Sequence, residues 1–188
     1  MLIFPNHFYE KKFTYPYFML IQVVPYNPQW PDQFQREASS IQHQLQDLVI
    51  HIHHIGSTSV PGLMAKPIID IILEARDLAS LDRQQTKMEE IGYEVMGEYG
   101  ISGRRYFRKG RDQRTHHVHA FATGNPHIKR HLAFRDYLIA HKEIARAYGE
   151  LKREIASRIQ HSMEHYGDAK EPFIQEHEAK ALRWYDEQ

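Results

Sequence analysis

The sequence predicts an α+β domain: a small mixed β-sheet flanked by helices, with a helical C-terminal half. Apolar runs of strand length cluster between residues 49 and 122, and one helical pattern interrupts them. The last two runs are separated by a link of hairpin size, residues 110–114. Strands divided by one helix and closed by a hairpin suit a sheet of mixed direction, not a doubly wound parallel one. From Pro126 onward apolar residues recur every three or four positions, the period of amphipathic helices.

Residues 1–18 are aromatic-rich but broken by Pro5, Glu10, Lys11, Lys12 and Pro16. They lack the apolar stretch and cleavage site of a signal peptide. They read as an N-terminal extension, with Met19 an alternative start and residues 19–188 the domain. Aromatic side chains there offer a contact for a homo-oligomer. Residues 22–25 suit a short strand or extended lead-in, and Asn27 with Pro28 opens a helix. Trp30, Phe34, Ala38, Ile41, Leu45 and Leu48 form its packing stripe.

Strands follow at 49–55 and 68–74, and Asp77 caps a helix carrying Leu78, Leu81, Met88 and Ile91 up to Gly92. Further strands are expected at 93–96, 104–109 and 115–122. One helix then carries Ile128, Leu132, Ala133, Tyr137 and Leu138, and a second carries Ile144, Tyr148, Leu151, Ile155 and Ile159. A joint is placed near His141 and Lys142. Tyr166-Gly167-Asp168 ends the second helix, and Asp168 with Glu171 has capping-box spacing for a last helix through Trp184.

Composition narrows the function. A chain of 188 residues with 41% hydrophobic and 26% charged content suits one folded domain. Lys plus Arg and Asp plus Glu each number 24, which argues against an extensive nucleic-acid footprint. With no cysteine, disulfides and thiolate metal sites are excluded, and a cytoplasmic location is expected. No apolar run reaches the roughly 20 residues of a membrane span, so no membrane partner is expected.

The chemistry centres on residues 54–73. Gly56 and Gly62 permit unusual backbone geometry, Pro61 and Pro67 stiffen the loop, and Ser57, Thr58 and Ser59 bring hydroxyls beside amides that suit phosphate. Asp70 stands alone in an apolar run, costly unless it faces a cleft or a partner. Alternation places Asp70 on one face of its strand and His117 with His119 on one face of another. If the strands are neighbours, the three suit one transition metal such as Zn, Mn or Fe; the plainer alternative is hydrogen-bonded groove residues. Lys66 lies close in sequence. Arg105 and Lys109 form one alternating set, Arg104 and Arg108 the other, and only one set can face the cleft. Arg130, Arg135, Lys142 and Lys152 could contact phosphate or be solvated. Ser57 lacks a nucleophile elbow, and neither Walker nor dinucleotide glycine spacing occurs.

These residues bring a family into view. Tyr26-Asn27-Pro28-Gln29-Trp30, the block His54–Leu63, Ala65-Lys66-Pro67-Ile68-Ile69-Asp70-Ile71, His116-His117-Val118-His119 and the block His131–Leu138 resemble the GrpB-like family of the nucleotidyltransferase superfamily. The resemblance runs from about Ile21 to the C-terminus. It implies a nucleotidyltransferase-like core in which Gly56 and Ser57 lie near a triphosphate and Asp70 is the first metal carboxylate. The second carboxylate of that superfamily falls at Ile72, and no acid occurs on 115–122. Two-metal phosphoryl transfer needs ligands for ions about 3.5–4 Å apart, so a standard site is incomplete. GrpB-like domains also occur fused to dephospho-coenzyme A kinase.

The expected protein therefore acts on, or binds, a nucleotide or phosphorylated small molecule. Asp70 and Lys66 take catalytic roles; Gly56, Ser57, Thr58, Ser59, Arg105, Lys109 and Arg135 bind substrate. Asp70, His117 and His119 hold a divalent ion, Mg, Mn or Zn. The alternative is a non-catalytic binding module that has lost the metal carboxylates.

Overall fold

A computed structural model describes residues 21–159 and 162–188; the expected extension, 1–18, lies outside them. Five strands form one sheet: β1 (Val49–Ile55), β2 (Ile69–Ala75), β3 (Tyr93–Val95), β4 (Arg105–Lys109) and β5 (His116–Ala122). Their order is β1-β2-β5-β4-β3. β2 and β5 run parallel, and the other pairs are antiparallel. The sheet is mixed, as the interrupted strand pattern implies.

Alternation gives the sheet two different faces. Ile69, Ile71, Leu73, Val118, Ala120 and Phe107 are buried on one face, in the main core with Trp30, Ile41 and Leu45 of α1 (Trp30–Leu45). Leu81 of α2 (Leu78–Arg83) and Met88 of α3 (Gln85–Glu90) close that core. Ile55, Ile72 and Phe121 on the other face pack with Ile128 of α4 (Pro126–Ala140). α5 (Lys142–Arg158) and α6 (Met163–Asp186) complete the helical half.

Four local expectations change. The lead-in strand reduces to one bridge, Val24 to Ala65, tied by two backbone hydrogen bonds of 2.9 and 3.0 Å. Asn27 accepts from the Gln29 amide and so caps the turn before α1, with Pro31 in the first helical turn. The helix expected after Asp77 is two short ones, because Gln84 leaves helical geometry between them. The last helix starts six residues earlier than its capping-box spacing suggests, with Ser162 in place of Asp168 as its cap. The Ser162 hydroxyl accepts from the His165 amide at 3.2 Å and caps it there. Tyr166 then packs beside Ile155 and Ala156 of α5, and that burial outweighs the helix penalty of Gly167, about 1 kcal/mol. Among the described residues no helix is long and apolar enough to cross a membrane.

Candidate functional site

The loop after β1 returns the chain directly onto Asp70. Gly56 has φ +68°, and a Cβ there would lie 2.7 Å from Asp70 Oδ2. Glycine is thus required twice, by the backbone and by the carboxylate behind it. The next three residues form one 3₁₀ turn and divide their tasks. Ser59 donates to Gly56 O at 2.6 Å and closes the turn. Thr58 is buried and donates to Ile68 O at 3.3 Å. Its oxygen therefore accepts from His54 Nε2 at 3.0 Å. Burial pushes His54 down to about 4, so the imidazole is neutral, stacked on Phe34. Of the three hydroxyls, Ser57 alone meets a cation: its Oγ accepts from Lys152 Nζ at 2.6 Å.

Parallel pairing of β2 with β5 sets Asp70 opposite His117 and Ile72 opposite His119. His117 Nδ1 donates to Asp70 Oδ1 at 3.2 Å. Burial pushes the Asp70 carboxyl up, but the His117 hydrogen bond and charge, His119 and Lys66 together outweigh it and hold the group at about 2. The carboxylate side chain remains 32% exposed, and it opens into a cavity of about 240 Å³. Around that cavity stand Ser57, Lys66, His117, Lys152 of α5 and Met163, Tyr166 and Lys170 of α6.

Three ammonium groups therefore face one carboxylate. Lys152 is only 2% exposed and donates to Met64 O at 2.5 Å besides Ser57. Lys66 is half-buried with its Nζ 3.5 Å from Met163 Sδ, and Lys170 lies over the Tyr166 ring at 5.0 Å. Burial, reinforced by the charge of Lys170, pushes Lys152 down to about 7 against the pull of Asp70. Lys66 and Lys170 are also lowered, chiefly by burial.

A second cavity, of about 300 Å³, shares Ser57 with the first. Phe134, Leu138, Tyr148 and Ile174 give it apolar walls, and Arg135, Glu171 and Glu178 give it charge. Arg135 donates to His54 O at 3.1 Å and to Asp136 at 2.7 Å.

Several predicted site residues stand elsewhere. Arg105 and Lys109 pair in register with Ala120 and His116, which places them on the face opposite Asp70. There Arg105 grips Asp82 of α2 at 2.5 and 2.7 Å, and Lys109 reaches Glu37 of α1 at 2.9 Å. The other set faces the site side, with Arg108 opposite His117 and Tyr106 opposite His119. His119 shares Asp70's face, but its Nδ1 accepts from Arg104 at 3.3 Å and burial keeps the ring neutral, near 4. Among the described residues no three His, Asp or Glu side chains are grouped to hold one ion. Asp70 and His117 are bonded to each other beside the three lysines and His119 is turned to Arg104, so these side chains are not gathered as the single-ion site expected from strand alternation requires. Lys170 is the residue that sequence reasoning missed, because the start of α6 was placed only two residues before it. Lys152 carried a signal: it falls four residues after Tyr148 and three before Ile155, on the buried stripe.

An α+β domain with a carboxylate–imidazole pair under a lysine-lined cleft is the class these features define. The chain belongs to the GrpB family, whose "GrpB protein" profile matches residues 20–180. It is 41% identical over 184 residues to the UPF0157 protein YqkA of Bacillus subtilis, covering 98% of this chain and 52% of that protein. It thus spans about half the length of that relative. A UPF0157 protein of Halalkalibacterium halodurans is 38% identical over 162 residues, 86% of this chain and 82% of its own. The crystal structure of the conserved protein GrpB from Enterococcus faecalis superposes with a TM-score of 0.85 at 45% identity, over 87% of this chain and 99% of that one.

Proposed function

We propose that this protein binds a nucleotide or related phosphorylated small molecule in the cleft between its sheet and C-terminal helices. The observation that carries the reading is the bridge from Lys152 to Ser57, which joins α5 to the loop beside Asp70. Phosphate oxygens are strong acceptors, and ammonium groups with a serine hydroxyl and turn amides are the donors they require. The second cavity, with its walls of Phe134, Leu138, Tyr148 and Ile174, shares Ser57 with the cationic one, so a ligand with a phosphate end and a larger organic end would span both. A nucleotide, the ligand class the nucleotidyltransferase resemblance implies, has two such ends.

Thermal unfolding in the presence of ATP, GTP, CTP and UTP tests the reading. At least one should raise the midpoint of the full chain, and Lys152→Ala should abolish the shift. No shift with any of them, or an equal shift in the variant, removes it. Nucleotidyl transfer is a second reading, favoured by the part-exposed Asp70 carboxylate beside the ammonium groups. Release of pyrophosphate from the stabilising nucleotide, with and without added Mg, Mn or Zn and lost in Asp70→Asn, is its test.

A further inference from the structure

The cavity beside Asp70 holds more positive charge than its neighbours neutralise. Lys66, Lys152 and Lys170 line it, and among the described residues none of the three makes an ion pair with a carboxylate. Lys152 spends its donors on a hydroxyl and a carbonyl, Lys66 on a thioether, and Lys170 lies over an aromatic ring. The carboxylate that lines the cavity, Asp70, is already bonded to His117. Gathering ammonium groups in one partly buried place costs stability, through lost hydration and mutual repulsion. Such a cluster is explained by an anion that supplies the missing countercharge.

We infer that this cavity binds the polyphosphate end of its ligand without a divalent metal ion, Lys66, Lys152 and Lys170 supplying the charge that metal ions supply elsewhere. The inference rests on the phosphate-binding reading above and deepens it. A metal ion entering beside Asp70 meets two protein donors that bond each other, and three ammonium groups that repel it. A polyphosphate meets the opposite: three cations, Lys66 from the loop before β2 and Lys152 and Lys170 from α5 and α6. The site is assembled from both halves of the chain, so anion binding also ties α5 and α6 to the sheet. The cavity's roughly 240 Å³ suits an anionic group rather than a whole drug-sized ligand, which takes about 300–1,000 Å³.

Calorimetric titration of the full chain with sodium tripolyphosphate, in EDTA and again in excess Mg, is the test. Binding is expected in EDTA, unchanged or weaker with Mg, and weakened by added salt. Lys170→Met should weaken it at least about tenfold, the size of one lost charge-assisted contact. The same variant should unfold at a higher temperature than the parent without ligand, which shows that lost binding is not lost folding. Lys66→Met gives an independent second case. Binding that requires Mg or Mn overturns the inference and leaves the phosphate-binding reading standing. Absence of binding in every condition overturns both, and full affinity in Lys170→Met and Lys66→Met overturns the lysine assignment.

Discussion

At the scale of single residues, the sharpest constraint is Gly56. Its positive φ and the 2.7 Å approach of a built Cβ to Asp70 Oδ2 leave no room for a side chain. Gly56→Ala should therefore destabilise the fold by about 1–3 kcal/mol, from left-handed backbone strain with displacement of the carboxylate added. Denaturant unfolding at unchanged m-value measures it, and a loss below about 0.5 kcal/mol would contradict the geometry. Much at this scale was legible. A glycine before three hydroxyl residues and a lone carboxylate in an apolar run mark a site by their cost alone. What was not legible is how the hydroxyls divide their work. Thr58 and Ser59 satisfy Ile68 O and Gly56 O, backbone groups whose positions exist only once the turn is folded.

At the scale of elements, register decides which charges matter. Alternation separates Arg105 and Lys109 from Arg104 and Arg108, but it cannot say which set shares a face with Asp70. That follows from the pairing of Arg108 with His117 and of His117 with Asp70, fixed by contacts between strands distant in sequence. Arg105→Ala and Lys109→Ala should consequently leave phosphate-ligand affinity within about twofold of the parent, since surface charges removed from a site act weakly through screened solvent. Their effect should fall on folding, because each loses a carboxylate partner on α2 or α1. A tenfold fall in affinity, measured by calorimetry, would return these residues to the site. The strands and the helical half were readable because period 2 and period 3.6 differ plainly. The start of α6 was not, since Ser162 and the burial of Tyr166 against α5 compete with the equally good spacing of Asp168 and Glu171.

At the scale of the molecule, the lysine cluster sets how stability depends on pH. Unfolded, Lys152 keeps its proton to about 10.5; folded without ligand, burial and Lys170 release it at about 7. Between these values the unfolded chain binds more protons, so stability rises with pH by up to about 1.4 kcal/mol per pH unit for each such group. This group's contribution is fully present above the unfolded value and is lost as pH falls through about 7. Lys66 and Lys170, facing it from the loop and α6, are lowered too and act with the same sign. Asp70, held near 2, contributes no slope here. Tyr148, whose ring centre lies 4.4 Å from Lys152 Nζ, and Tyr166, which lines the lysine cavity, have raised values, Tyr166 at about 12 against 10.0 unfolded, so they reverse the trend only above about pH 10. Stability should therefore climb from pH 7 to pH 9.5, whereas proteins commonly peak between about pH 5 and 8. Urea unfolding at half-unit steps checks this, with Lys152→Met expected to flatten the rise. A bound polyanion restores the Lys152 charge, so phosphate-ligand affinity should fall across the same window as the free protein gains stability. A flat parent profile, or an equal slope in Lys152→Met, would show that the ammonium is not held in the folded protein as its surroundings require.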